Sequence, residues 1–168
     1  MPTEPPSPLP EPWSTASFAV LEDVTSIDAI INAVYGAVSF SDRRGPDEVR
    51  LRSLLVEGAA LTKVLADGRC LHVDVDTYLR GVHERVARGE LLGFEERELF
   101  RRTEVYGGIA HVFTTYEARR WTVDGESNVR GINSVQLRND GRRWWVLTIL
   151  WTDEDEGSPI PAAYLPRG

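Results

Sequence analysis

"GRRWWVLTILW", residues 141–151, is the stretch that decides the fold. Read as a strand, it puts Trp144, Val146, Thr148 and Leu150 on one side and Trp145, Leu147, Ile149 and Trp151 on the other. Neither side is polar enough to face water alone, so this strand needs cover on both. Asp140–Gly141, just before it, tolerates the positive φ of a hairpin turn. Its partner is therefore the strand immediately upstream.

Working outward, the period of 2 extends back to Gly89. Four strands fit, at roughly 94–106, 109–122, 128–138 and 143–152, joined at "YGGI", "VDGE" and "NDGR". Two-residue turns place Leu137 opposite Trp144 and Val135 opposite Val146, with Tyr116, Asn133 and Thr148 in one row. One face then gathers Leu99, Ala110, Val112, Val135, Leu137, Trp144 and Val146. The other holds Phe113, Ile132, Trp145, Ile149 and Trp151 inside a charged rim. Before Gly89 the apolar period is helical. A first helix, capped by Thr25 or Ser26, carries Ile27, Ile31, Val34 and Val38. A second opens at Pro46 and stops at Gly58. "ALTKVL" reads as a short strand with "ADGR" as its turn. A third helix, capped by Asp74 or Asp76, carries Leu79, Val82 and Val86. Three helices followed by an antiparallel meander make an α+β chain.

The 168 residues suit one domain, expected over 21–155, with a proline-rich tail at 1–20 and an extension at 156–168. Six of the ten prolines fall in residues 1–14. A net charge of −7 argues against nucleic acid as a partner. The single cysteine, Cys70, cannot form an intrachain disulfide, and no stretch approaches the roughly 20 apolar residues that span a bilayer. A cytoplasmic protein without membrane contact is the expectation.

Three helices can cover only one face of the sheet. The face with Trp145, Trp151, Ile149, Phe113 and Ile132 is therefore expected to pair two copies as a homodimer. On the covered face, the polar row Tyr116–Asn133–Thr148 beside Trp144 has the look of a small-molecule pocket. His83, near Leu79 and Val86, is the histidine best placed for pocket chemistry. Glu104 and His111 face each other across Gly107–Gly108 as a surface pair. In "CLHVDVD", Cys70, His72, Asp74 and Asp76 alternate, but Asp74 and Asp76 read as helix caps, so no metal site is expected.

Ala110-x-Val112, Gly131-x-Asn133, Gln136-Leu137 and Gly141-x-x-Trp144-x-Val146 resemble the nuclear transport factor 2-like superfamily, over about residues 22–155. The resemblance implies helices on a strongly curved, cone-like sheet, a pocket between the two, and commonly a homodimer. In the ketosteroid isomerase branch a first-helix tyrosine stabilises an oxyanion, and Tyr35 holds a comparable place. That branch's catalytic aspartate has no counterpart, since Thr62 and Lys63 stand there. The leading expectation is a cofactor-free protein that binds a small apolar molecule. The alternatives are a lyase, isomerase or hydrolase using His83 and Tyr35, and a non-catalytic interaction module.

Overall fold

The computed structural model describes residues 19–167, so the expected proline-rich tail falls outside the described residues except for Ala19 and Val20. Helix α1, Ile27–Val38, starts where Ser26 Oγ accepts the Ala29 amide at 3.0 Å. It buries Ile30, Ile31, Ala33, Val34, Tyr35 and Ala37. Helix α2, Glu48–Leu54, is capped by Asp47 and runs directly into strand β1, Leu55–Val64. Gly58 therefore does not end a helix. It lies within β1 at φ 73°, where the ladder jumps from Leu55↔Val146 to Ala60↔Thr148. Only glycine adopts that backbone cheaply. Strand β2, Cys70–Val73, folds back on β1. Helix α3, Val75–Ala87, is capped by Asp74, which accepts the Thr77 amide at 2.7 Å.

The meander follows as β3 (Gly93–Tyr106), β4 (Ile109–Thr122), β5 (Gly125–Asn139) and β6 (Trp144–Asp153). β1 joins it by pairing parallel with β6, which gives six strands in the order β2-β1-β6-β5-β4-β3. The sheet is thus mixed rather than wholly antiparallel, and it is open, because β2 and β3 do not meet. Its inner face presents Val112, Ala118, Val135, Leu137 and Val146 to a core shared with Ile30 and Ile31 of α1, Leu51 and Leu54 of α2, and Leu79 of α3.

Two bulges set the faces. The β5–β6 connection takes four residues, Asp140–Arg143, so Leu137 lies opposite Val146 and Asn139 opposite Trp144. That two-residue shift leaves the faces as expected. Leu147 is then an extra residue, since Leu137 pairs with Val146 but Gln136 with Thr148. A one-residue insertion exchanges the faces of everything beyond it. Ile149, Trp151 and Asp153 consequently turn inward, opposite Val135, Asn133 and Gly131. Thr148 and Leu150 turn outward. Leu99 does the same in β3, between Glu98↔Tyr116 and Phe100↔Thr115, and so brings Glu96 and Glu98 to the inner face.

These shifts correct the expected outer patch. Ile149 and Trp151 do not belong to it. Trp145 is only 8% exposed: the Arg143 guanidinium lies 3.6 Å from its ring centroid, and its Nε1 donates to Asp140 at 2.7 Å. Phe113 and Ile132 do remain outside, with residues 158–164 running beside them. Tyr164 packs edge-on against Phe113 at 5.1 Å, and its carbonyl accepts a hydrogen bond from Thr115 at 2.6 Å. The Ile160 amide donates to Glu154.

Candidate functional site

Between the helices and the inner face of the sheet lies a cavity of about 350 Å³. This is the low end of the roughly 300–1,000 Å³ typical of small-molecule sites. Val34 and Val38 come from α1, Tyr78, Val82 and Arg85 from α3, and Leu61 and Lys63 from β1. Phe94 and Glu96 come from β3, Arg120 from β4, Asn133 from β5, and Ile149 and Trp151 from β6. Leu71, 55% exposed, and the exposed Arg85 mark the mouth.

Glu96 is the carboxyl in this apolar setting. Burial, which disfavours the charged form, pushes it up from 4.5 to about 7, against the Asn133 hydrogen bond that favours charge. Asn133 Nδ2 donates to Glu96 Oε1 at 3.1 Å and to the Tyr35 hydroxyl at 3.2 Å. With its oxygen accepting from Asn133, Tyr35 turns its O–H to Thr114 Oγ1, 3.0 Å away. Thr114 donates in turn to Glu98 at 2.5 Å, and Glu98 is held by Arg101, which also reaches Asp28 at the surface. Tyr35 therefore orients Asn133 and does not itself line the cavity. Its phenol is raised by burial and by the nearby Glu96 charge.

Tyr78 does line the cavity. Its hydroxyl makes no hydrogen bond with any described residue, and burial raises its pKa, with the Glu96 charge adding to the effect. It remains a neutral donor across the working pH range. Asp153, an inward carboxyl of β6, behaves oppositely. Burial raises it, but Lys63 at 2.6 Å and the Tyr116 hydroxyl at 2.6 Å outweigh that and hold it below the usual value.

Of the four pocket residues expected from the sequence, only Asn133 lines the cavity. Tyr116 is 3% exposed and spends its hydroxyl on Asp153. Thr148 lies on the outer side and donates to the Ala60 carbonyl. Trp144 packs against the core, and its amide donates to the Val24 carbonyl. His83 faces away from the cavity. Its ring is pressed on Gly45, where an added Cβ would come within 2.7 Å, and its Nε2 lies 3.4 Å from Glu48. The structure does not bring His83 and Tyr35 to a common point. Glu104 does pair with His111 across the ladder, but the imidazole Nε2 lies 3.0 Å from Ser134 Oγ. His72 Nδ1 meets Thr62 Oγ1 at 2.7 Å, and Asp74 is occupied as a cap.

Glu96, Tyr78 and Arg120 were missed. Glu96 carries no local signal, because alternation alone puts it on the other face. A second hollow, over Glu95, Arg97, Glu117 and Arg119, is lined by ion pairs such as Arg97–Glu117 at 2.7 Å and so leaves a ligand little free charge. No helix among the described residues is long and apolar enough to cross a membrane.

No family model matches the sequence, and no curated protein is similar to it in sequence. Solved structures are similar in shape. A conserved protein from Planctomyces limnophilus superposes with a TM-score of 0.60 at 14% identity, over 76% of this chain and 93% of that one. A candidate dehydratase of the nuclear transport factor 2-like family from Streptomyces avermitilis gives 0.58 at 14% identity, over 77% and 94%. A nuclear transport factor 2-like superfamily protein from Salmonella enterica serovar Typhimurium gives 0.56 at 12%, over 79% and 87%. With its three helices, curled open sheet and interior cavity, this chain has the nuclear transport factor 2-like fold.

Proposed function

We propose that this protein takes a small, largely apolar molecule into its cavity and moves a proton on it, as an isomerase or lyase does. The observation that carries this reading is Glu96, a carboxyl poised near pH 7 among apolar side chains. A base is most effective when its pKa lies near the working pH. As carboxylate, Glu96 would take a proton from a carbon next to a carbonyl. Tyr78 would donate a hydrogen bond to the enolate oxygen that forms. Glu96 would then return the proton at another carbon, or a group β to the carbonyl would leave. Asn133 and, behind it, Tyr35 hold Glu96 in place. The structural likeness to a candidate dehydratase is compatible with this chemistry.

Deuterium incorporation from D2O into a panel of cyclic ketones and keto acids, followed by proton NMR, tests it. The wild type is expected to exchange α-protons of at least one compound, and Glu96→Gln to lose on the order of 10²-fold or more. No exchange with any compound, or equal exchange by Glu96→Gln, would overturn the reading.

A second reading concerns assembly. Residues 158–161 leave a groove of about 320 Å³ over Ile132 and Leu150 on the outer face, and Leu150 is 42% exposed. These apolar groups support a homodimer through that face, on a smaller patch than the sequence implied. Light scattering at tens of micromolar reports the subunit count, and a monomeric mass would remove this reading.

A further inference from the structure

The charge of the cavity runs against the charge of the chain. The protein holds 26 acidic and 19 basic residues. Yet among the described residues three of the four charged side chains that line the cavity, Lys63, Arg85 and Arg120, are cations, and Glu96 is the fourth. Lys63 is neutralised by Asp153 at 2.6 Å. The other two have no such pair among the described residues, although Arg120 lies within electrostatic reach of Glu96 and Arg85 of Glu90. Neither the Arg85 nor the Arg120 guanidinium makes a hydrogen bond or an ion pair with another described residue. Arg97, Arg119 and Arg130 are paired with Glu117, Glu126 and Glu154, whereas Arg43, Arg44, Arg80 and Arg142 stand in solvent without an ion pair to a described residue; Arg120 differs from those four in being half-buried in the cavity wall.

Their positions are complementary. Arg120 is on the inner face of β4, opposite Phe94 in the ladder, and its charge acts on Glu96, Tyr78 and Asp153. Arg85 is on the last turn of α3 at the mouth and acts on Tyr78. Both cations thus border the same space as the candidate acid–base pair. A guanidinium beside an apolar wall is weakly hydrated and presents a planar fork of donors that matches a carboxylate.

Resting on the reading of this cavity as a small-molecule site, we infer that its ligand is an organic anion: a compact acid of one or two rings whose carboxylate is held by Arg120 and Arg85. Its body lies against Trp151, Phe94 and Ile149. Its reacting carbon is then carried toward Glu96. The anion supplies the direct partner that these two guanidinium groups lack among the described residues. It also explains why an acidic protein keeps a cationic cavity: the local field selects anions that the net charge would repel.

The test is a matched-pair binding series by isothermal titration at pH 7.5 and low salt. It begins with trans-cinnamate and trans-cinnamamide, which share a shape and differ in charge, and extends to other one- and two-ring acids with their primary amides. N-phenyl-1-naphthylamine, neutral and fluorescent, is measured alongside as a probe of the cavity itself. The expected result is that acids bind at least tenfold more tightly than their amides. Arg120→Met should erase most of that preference while changing amide binding less than twofold. Arg120→Lys should keep part of it, Arg85→Met should lose a smaller share, and added salt should narrow the gap. Circular dichroism and thermal unfolding establish that the variants are folded. Amides binding as well as acids, or Arg120→Met weakening both equally, would overturn the anion inference. So would the neutral probe binding, with that binding lost in Ile149→Trp, while no acid binds; the cavity would then stand as an apolar site. If the probe and every acid fail together, both the inference and the reading beneath it are lost.

Discussion

Glu96 and Asp153 are two inward carboxyls a few strands apart with opposite fates. Asp153 has a lysine and a phenol to compensate burial, and its pKa falls. Glu96 has one amide, and its pKa rises to about 7. The sign of the consequence follows from proton counting. Between the unfolded value of 4.5 and the folded value of about 7, the native state binds the extra proton, so stability falls as pH rises through that window. The shift amounts to on the order of 3 kcal/mol, reached above pH 7. Glu96→Gln is therefore expected to match the wild type below pH 4.5 and to be the more stable protein above pH 7. Urea unfolding at pH 4.5, 6 and 8 checks this, and parallel curves for the two proteins at all three values would show that Glu96 ionises as freely as a surface residue. Such a residue could not be picked from the chain. Asn133 could, because an amide among apolar neighbours announces an obligation to bond. Glu96 stands in the charged run Glu95–Arg101, where strict alternation points it outward.

At the level of the strand, the difference lies in Leu99 and Leu147. The helices were legible because caps and stripes are local: Ser26, Asp74 and Gly89 mark their ends. The strands were legible from their period and turn residues. A bulge has no such signature here, since Leu147 is one aliphatic residue among several. Yet it decides whether Trp151 faces the cavity or the solvent. β2 and the parallel β1–β6 pair were also hidden, because they depend on a contact far along the chain. The register itself can be tested. Deleting Leu147 removes the extra residue and joins Val146 to Thr148, whose partners Leu137 and Gln136 are already adjacent, so Ile149, Trp151 and Asp153 stay inward and a cooperative melt is expected to survive. Leu147→Ala keeps the residue count and removes only a half-buried side chain, at a cost of about 1–2 kcal/mol. Loss of the cooperative melt on deleting Leu147 would argue against the bulge, because without one the deletion would turn Trp151 and Asp153 outward.

For the molecule as a whole, the open sheet needs its outer face protected, and the C-terminal segment provides part of that. Tyr164 against Phe113, the Thr115–Tyr164 hydrogen bond and Arg102 over the Tyr164 ring hold it down. Removing residues 156–168 is expected to cost about 2 kcal/mol, from one aromatic pair and one or two hydrogen bonds. It should also raise self-association as Phe113 and Ile132 become wet. Size-exclusion chromatography with light scattering on the truncated and full chains reads both subunit count and aggregation; identical profiles would mean the segment covers nothing that matters. The open sheet has a further consequence at its two unclosed sides. β2 is only four residues long, and β3 carries charge on half of its fourteen residues. Where α1 ends, Ser39 both donates to the Glu96 carbonyl and accepts the Glu96 amide, and Phe40 bridges to Phe94, so part of that margin is already occupied. A stray strand from another chain finds on one side too little to grip and on the other a row of charged side chains. In a crowded cell this makes the molecule a poor seed for amyloid, although its most apolar strand, β6, would be a good one if it were ever left at the margin.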